Sequence, residues 1–457
     1  MSAEEADPAS FRDPSGFLFR KDGTLYRHVA RGHGADYDLF MDSGLYAELS
    51  AAGLLVPHDE VAVEGHGDAH RVLRPQVVEF VSYPYEWAFS ALRDAALLTL
   101  DVAERALRRG LVLKDASAFN VQFRGSSPVF IDTLSFEGWR EGEPWVAYRQ
   151  FCEHFVAPLA LIACCDVRLG CLWRAHLDGP PLDLASRLLP RSTWLRFGLL
   201  THLHLHARSQ AFYADRPAPS RRMAVSRTSL LALLDSLRRT LRGLAPRRVR
   251  SEWADYERTH AYADEAQRAK ERVVGRWLDT LRPRKVWDLG ANVGRFSRIA
   301  ASGGAYVVSF DIDPAVVEEA YRRGRSESRR DLLPLVLDLV NPSPGLGWEG
   351  RERAPVEARG TADTLLALAL VHHLAIGRNV PLPRIAAWMA RLGRAAIVEF
   401  VPKDDPQTRR LLRSRRDVFP GYTREGFEAA FGSAFSLDAC EPLPGSGRLL
   451  YLWRIKA

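Results

Sequence analysis

The sequence predicts an α/β protein in two parts: a C-terminal, doubly wound, seven-stranded Rossmann-like sheet and an N-terminal α+β part. Three observations predict it. Beyond Tyr262, short apolar runs alternate with amphipathic helical stretches, the pattern of a parallel sheet covered on both faces. The first of those runs leads into a glycine-bearing turn, Asp288-Leu-Gly-Ala-Asn-Val-Gly294, where open α/β sheets bind their ligands. The chain of 457 residues also exceeds the size at which a single core stops growing, so at least two domains are expected.

The C-terminal strands are expected at Lys285–Leu289, Ala305–Asp311, Leu333–Leu339, Thr364–Leu370, Ala395–Val401, Phe435–Glu441 and Arg448–Ile455. Helices are expected at Glu265–Leu281, Arg295–Ala301 and Pro314–Arg322. In the N-terminal part, Lys21-Asp-Gly-Thr24 between apolar residues signals a hairpin. Apolar residues three and four apart predict helices over Leu39–Gly53, Ala88–Arg109 and Ser229–Leu244, and the Leu-, Ala-, His- and aromatic-rich stretch from Trp145 predicts buried helices. Asp215-Arg-Pro-Ala-Pro-Ser220 is a break. The expected organisation is a disordered N-terminus (1–16), an N-terminal domain (17–214), a linker with a connecting helix (215–262) and a C-terminal domain (263–457).

Composition excludes several classes. A hydrophobic content of 47% with 26% charged residues is neither disordered nor membrane-embedded, and apolar runs such as Phe155–Cys165 are too short to cross a bilayer. No membrane insertion is expected. The N-terminus lacks a basic segment followed by an apolar one, and the five cysteines show no CxxC spacing, so no metal site and a cytoplasmic setting are expected. The net charge of +7 is mostly arginine, concentrated in Arg238–Arg250, Arg322–Arg330 and Arg409–Arg416. Without an accompanying recognition module, these read as solvated faces, and nucleic acid is not the expected partner.

The turn after the first strand carries the chemistry. Gly290 lets the backbone adopt unusual dihedrals and lets a ligand approach, and Gly294 opens the next helix. The spacing Asp-x-Gly-x-x-x-Gly differs from the Gly-x-Gly-x-x-Gly that cradles a pyrophosphate. Asp288 suits an ammonium, Asp311 at the end of the second strand suits ribose hydroxyls, and Asp338 ends Leu335-Val-Leu-Asp. Through Asp288–Gly294, Phe310–Pro314 and Asp338, the C-terminal part resembles the class I methyltransferases that use S-adenosylmethionine (SAM). The resemblance implies SAM as cofactor, with Gly290 and Gly294 at its amino-acid part, Asp311 at its ribose and Asp338 at its adenine. Asn292 stands where most members have glycine, a substitution that suits a residue able to adopt left-handed conformations.

Methyl transfer from a sulfonium depends on alignment of the acceptor, aided by a base where the acceptor is a hydroxyl. His372 and His373, past the fourth strand, are the candidates for that base, because histidine titrates near neutrality. The opposing reading has one packing under the cofactor and the other making a structural hydrogen bond. Glu399, ending the fifth strand, is the next candidate to touch acceptor or cofactor, followed by Lys403, Asp404, Asp405 and Tyr422.

The N-terminal part holds a second pattern. Asp115, Asn120 and Asp132 follow the order in which kinases and small-molecule phosphotransferases place a catalytic Asp, a metal-binding Asn and a second metal-binding Asp. On these residues the part resembles a divergent kinase-like domain. It departs from that pattern in having Thr-Leu after Asp132, no glycine-rich phosphate loop and no Val-Ala-Ile-Lys strand, for which Arg27 with Glu48 is the substitute ion pair. An inactive kinase-like fold and a plain hairpin remain the alternatives. His202 and His206 of Thr201-His-Leu-His-Leu-His206 are i,i+4, which reads as helix packing in the absence of a third ligand.

The expected function is SAM-dependent methyl transfer to a small-molecule or glycan-derived acceptor. The Lys114–Phe136 and Ala367–Lys403 segments are similar to a family that includes a rhizobial nodulation methyltransferase. The alternatives are a bifunctional kinase-methyltransferase, an RNA methyltransferase and a non-catalytic SAM-binding adaptor.

Overall fold

The computed structural model describes residues 4–213, 225–246, 264–413 and 417–456. The chain divides into two compact units. One comprises Met1–Phe123, Pro128–Val249 and Gly345–Arg353, the other Arg124–Ser127, Arg250–Pro344 and Ala354–Ala457.

The first unit begins with an antiparallel sheet of β1 (Glu4–Ala6), β2 (Gly16–Lys21), β3 (Thr24–Val29), β4 (His58–Val61) and β5 (Arg71–Pro75), in the order β1-β2-β3-β5-β4. The hairpin between β2 and β3 turns on Asp22 (φ 52°) and Gly23 (φ 76°), the paired positive dihedrals that match strand twist in a two-residue loop. Residues 4–16 are not the disordered tail that their polarity suggested. The backbone of Glu4–Ala6 pairs with β2, and the Asp7 N–H donates to the Leu18 carbonyl at 2.9 Å. Backbone pairing along a strand edge does not depend on side-chain polarity.

The helix expected over Leu39–Gly53 is two helices, Gly34–Asp42 and Leu45–Ala51, because Gly44 between them takes a left-handed φ of 74°. A long helix, Phe89–Arg108, buries Ala95, Val102 and Ala106 on one face and Leu100 on another. Two short antiparallel pairs follow: β6 (Leu111–Leu113) with β9 (Phe136–Gly138), and β7 (Val121–Arg124) with β8 (Ser127–Phe130). The helix Arg227–Arg242 is part of this unit and not of a linker. It buries Leu230, Leu234, Leu237 and Leu241, and Arg238 pairs with Glu104 at 2.5 Å. Residues 215–224 and 247–262 of the expected linker lie outside the described residues.

The second unit is built on β10 (Lys285–Leu289), β11 (Tyr306–Asp311), β12 (Leu332–Val336), β13 (Ala362–Ala367), β14 (Gly393–Phe400), β15 (Phe435–Pro442) and β16 (Leu449–Ile455). The seven strands lie in the order β12-β11-β10-β13-β14-β16-β15, parallel except for β16, which runs antiparallel to both neighbours. Helices Asp264–Leu281, Arg295–Ser302, Pro314–Ser326, Leu382–Leu392 and Arg424–Ala434 cover it. Val274, Val286, Val307, Leu366, Ile397 and Leu450 belong to one apolar cluster. The chain works outward from β10 to β12, then returns to β13 on the other side of β10. That reversal opens a crevice beyond the carboxyl ends of β10 and β13, and the residues singled out in this half gather there.

Candidate active site

Asp288 lies on β10, 2% exposed, and accepts a hydrogen bond from the Ser297 hydroxyl at 2.6 Å. Burial pushes its carboxyl up to about 6, against the opposing effects of Ser297 and the Lys270 charge. After Leu289 the backbone turns at Gly290 (φ 72°), whose N–H donates to the Phe310 carbonyl at 2.8 Å. A Cβ at Gly290 would stand 3.0 Å from the Leu370 side chain, so the turn lies directly against the segment leaving β13. Asn292 takes a left-handed φ of 51°, and Gly294 (φ 76°) caps the helix Arg295–Ser302.

Asp311 ties this turn to β11. One carboxylate oxygen accepts the Asn292 N–H at 2.8 Å and the other the Asp313 N–H at 2.9 Å. Burial raises its carboxyl to about 6 despite these donors. The side chain is still partly exposed, and a carboxylate has lone pairs beyond the two engaged here. Asp338 does not end a strand: β12 stops at Val336, and Asp338 stands on the following turn, where it accepts the Val340 N–H at 2.9 Å. It too is partly exposed.

Past β13 the two histidines separate. His372 is 1% exposed, and neither ring nitrogen has a hydrogen-bond partner among the described residues. Burial, then His373, Arg448 and Lys270, oppose its protonation strongly. His373 opens a π-helical turn, His373–Gly377, and is partly exposed. Burial and Arg448 lower its imidazole to about 4, so it is neutral at neutral pH.

Glu399 is not open to an acceptor. It is 0% exposed and ion-paired to Lys270 at 2.5 Å and to Arg448 at 3.2 Å. Burial alone would raise its carboxyl, but the two cations outweigh that and hold it below the ordinary range. Arg448 also holds Asp405 through two bonds, at 2.7 and 3.0 Å. Lys403 pairs with Asp417 instead, and the Tyr422 hydroxyl donates to the Val401 carbonyl at 2.8 Å while its ring stacks on Phe400. Sequence reasoning missed Lys270 and Arg448. The one available signal was a lysine on the core side of the helix before β10.

In the first unit Asp115, Asn120 and Asp132 do come together. The Asn120 amide donates to Asp115 and, at 3.2 Å, to the Ser135 hydroxyl, which donates in turn to Asp132. Burial and the Asp132 charge raise the Asp115 carboxyl. The expected Arg27–Glu48 pair does not form. Arg27 pairs with Asp132 at 2.7 Å, while Glu48 is taken by Arg105 and Arg109. Glu48 lies on the second of the two helices that Gly44 separates, which places it within reach of Arg105 and Arg109. The His202–His206 run is a packing feature: His202 bridges the Tyr148 and Ser236 hydroxyls, and His204 those of Ser186 and Thr193. Among the described residues no group of three or more His, Cys, Asp or Glu side chains is arranged to hold a metal ion. No described helix is long and apolar enough to cross a membrane.

No protein-family model matches the chain. It is 35% identical over 452 residues to the nodulation protein NoeA of Rhizobium meliloti (strain 1021), covering 97% of this chain and 94% of that protein. Solved structures that resemble part of it include the following three. The PH0226 protein from Pyrococcus horikoshii OT3 matches at 18% identity over 44% of this chain and 99% of its own, with a TM-score of 0.33. Magnesium protoporphyrin IX methyltransferase (ChlM) from Synechocystis PCC 6803 matches at 22% over 41% and 84%, with a TM-score of 0.30. The N-methyltransferase NodS from Bradyrhizobium japonicum WM9 matches at 12% over 42% and 97%, with a TM-score of 0.32.

Proposed function

The chain belongs to the family of the nodulation protein NoeA, and we propose that its second unit is a SAM-dependent methyltransferase acting on a small-molecule or glycan-derived acceptor. The observation that carries this reading is the Asp311 carboxylate holding a left-handed, glycine-bearing turn at the reversal of a seven-stranded sheet whose one antiparallel strand is β16. The residues fit the cofactor. Gly290 and Gly294 would leave room for its amino-acid part, Asp288 would offer charge to its ammonium, Asp311 would accept from its ribose hydroxyls, and Asp338 would accept from its adenine amino group.

When bound, SAM supplies a methyl group already activated on a sulfonium. The protein's share is then alignment, which in favourable cases contributes about 7–11 kcal/mol, and management of one proton. His373 accepts a hydrogen bond from the acceptor O–H or N–H; from a hydroxyl it takes the proton as the new bond forms, whereas a methylated amine keeps its proton as an ammonium and releases it later to solvent. Its weak basicity is no obstacle, because a hydroxyl becomes strongly acidic once it carries a methyl group. His372, sealed from solvent, packs behind it, and Glu399 orders cations instead of touching the acceptor.

Titration calorimetry tests the reading. Wild-type protein binds SAM, and Asp311→Ala weakens binding about tenfold or more, the scale of losing charge-assisted hydrogen bonds. A wild type that binds no SAM, or an Asp311→Ala variant that binds it equally well, ends the proposal. Incubation with radiolabelled SAM and fractionated extract then identifies the acceptor.

A second reading concerns the first unit. The antiparallel order β1-β2-β3-β5-β4 and the meeting of Asp115, Asn120 and Asp132 support a divergent kinase-like scaffold. The residues as arranged do not fit a divalent cation. Three of the four lone-pair sites of Asp132 are taken, two on one oxygen by Arg27 and the Leu134 N–H and one on the other by Ser135, and the Arg27 guanidinium already neutralises its charge. We therefore read this unit as a scaffold without phosphoryl transfer.

A further inference from the structure

Lys270 is the least expected member of the second unit's site. It sits on the helix Asp264–Leu281 and is 7% exposed. Its ammonium lies 2.5 Å from Glu399 and 4.8 Å from the Phe296 ring centroid, a cation–π distance. Phe296 precedes Ser297, whose hydroxyl holds Asp288. Beyond Glu399 the chain of charges continues through Arg448 to Asp405. These four side chains sum to zero charge, so the wall they form presents neither a free anion nor a free cation. Asp288 itself is faced by Lys270 from that helix, by Asp311 from β11 and by Ser297 from the helix after the turn.

We propose that Lys270 is a positioning residue that couples the acceptor wall to the cofactor turn. Its ammonium closes Glu399 away from the acceptor while its field keeps Asp288 available as an anion for the cofactor's ammonium. This rests on the SAM reading above. One consequence concerns the substrate class. With the wall neutral and His372 and His373 uncharged, the acceptor group is recognised as a hydrogen-bond donor, a hydroxyl or an amine, and not as a carboxylate or phosphate.

The test is the pH profile of SAM affinity, by calorimetry between pH 5.5 and 8.5. In the wild type, affinity falls as pH drops through about 6, where Asp288 and Asp311 take up protons. Lys270→Met moves that fall to higher pH by about one unit, so binding is about threefold weaker near pH 6.5 and about eightfold weaker near pH 5.5, yet equal to wild type at pH 8.5. Lys270→Arg restores the wild-type profile. A Lys270→Met profile with an unmoved midpoint, or one depressed equally at all pH values, overturns the proposal.

If the wild type binds no SAM, the functional reading has failed. The Lys270 proposal is then still decided by carboxyl 13C titration of Asp288 in the cofactor-free protein, which must shift upward in Lys270→Met. If the single variant does not fold, Lys270→Met with Glu399→Gln removes both charges together. The same upward shift is then expected, and its absence is fatal.

Discussion

His373 is a weak base placed where a strong one is not needed. Burial beside Arg448 keeps its imidazole neutral down to about pH 4, so it meets the acceptor as a hydrogen-bond acceptor across the working range. Sinefungin, a SAM analogue with an amine-bearing carbon in place of the sulfonium, probes that position directly, because its amine projects toward the acceptor side. His373→Phe is expected to weaken sinefungin about tenfold while S-adenosylhomocysteine, which has nothing there, changes by less than about twofold. Equal losses for both ligands would mean that His373 supports the pocket as a whole. At this scale the sequence was informative about which residues gather and poor about their states. Asp288, Asp311 and the histidines were visible as strand-end residues. The sealing of Glu399 was not, because its partners Lys270 and Arg448 come from elements far away in the chain.

Elements were legible wherever local pattern and tertiary packing agree. The hairpin at Asp22-Gly23, the helix Phe89–Arg108 and all seven strands of the second sheet fall close to their expected places. Within the second sheet the errors sit at strand ends. Leu337 is buried but lies beyond β12, so its hydrophobicity extended the expected strand past Val336. Ala369 adopts a φ of 52° just after β13, a break that nothing about an alanine announces. Both errors lie beside the crevice, where the chain leaves the sheet to form the site. The glycine turn provides an element-scale test. Gly290 and Gly294 both hold left-handed dihedrals, so alanine at either is expected to cost about 1–2 kcal/mol of stability in denaturant unfolding. Only at Gly290 does the added methyl also press on Leu370. Gly290→Ala should therefore lose SAM affinity beyond what Gly294→Ala loses, and a reversed order would mean that the Leu370 contact does not shape the pocket.

At the scale of the whole molecule, the two units pose opposite problems of inference. In the second, spacing along the chain sufficed to place Asp288, Gly290 and Asp311 at neighbouring strand ends, because strand ends in a doubly wound sheet converge by topology. In the first, the Asp115–Asn120–Asp132 spacing brings the three side chains together, yet their chemistry depends on what else arrives. Arg27 from β3 meets Asp132, and a carboxylate neutralised by a guanidinium has little left for a divalent ion, which needs several open oxygen ligands. Calorimetry of the full chain with ATP and Mg2+, and paramagnetic resonance with Mn2+, are expected to show no metal-dependent nucleotide binding at millimolar concentration. Arg27→Met frees the carboxylate and should let Mn2+ bind, whereas Arg27→Met combined with Asp132→Asn should not. Metal-dependent ATP binding by the wild type, abolished by Asp132→Ala, would instead mean that Arg27 yields to the metal, and would make the protein bifunctional. The ion pair at Arg27 is thus the feature that separates a chain with one chemistry from a chain with two.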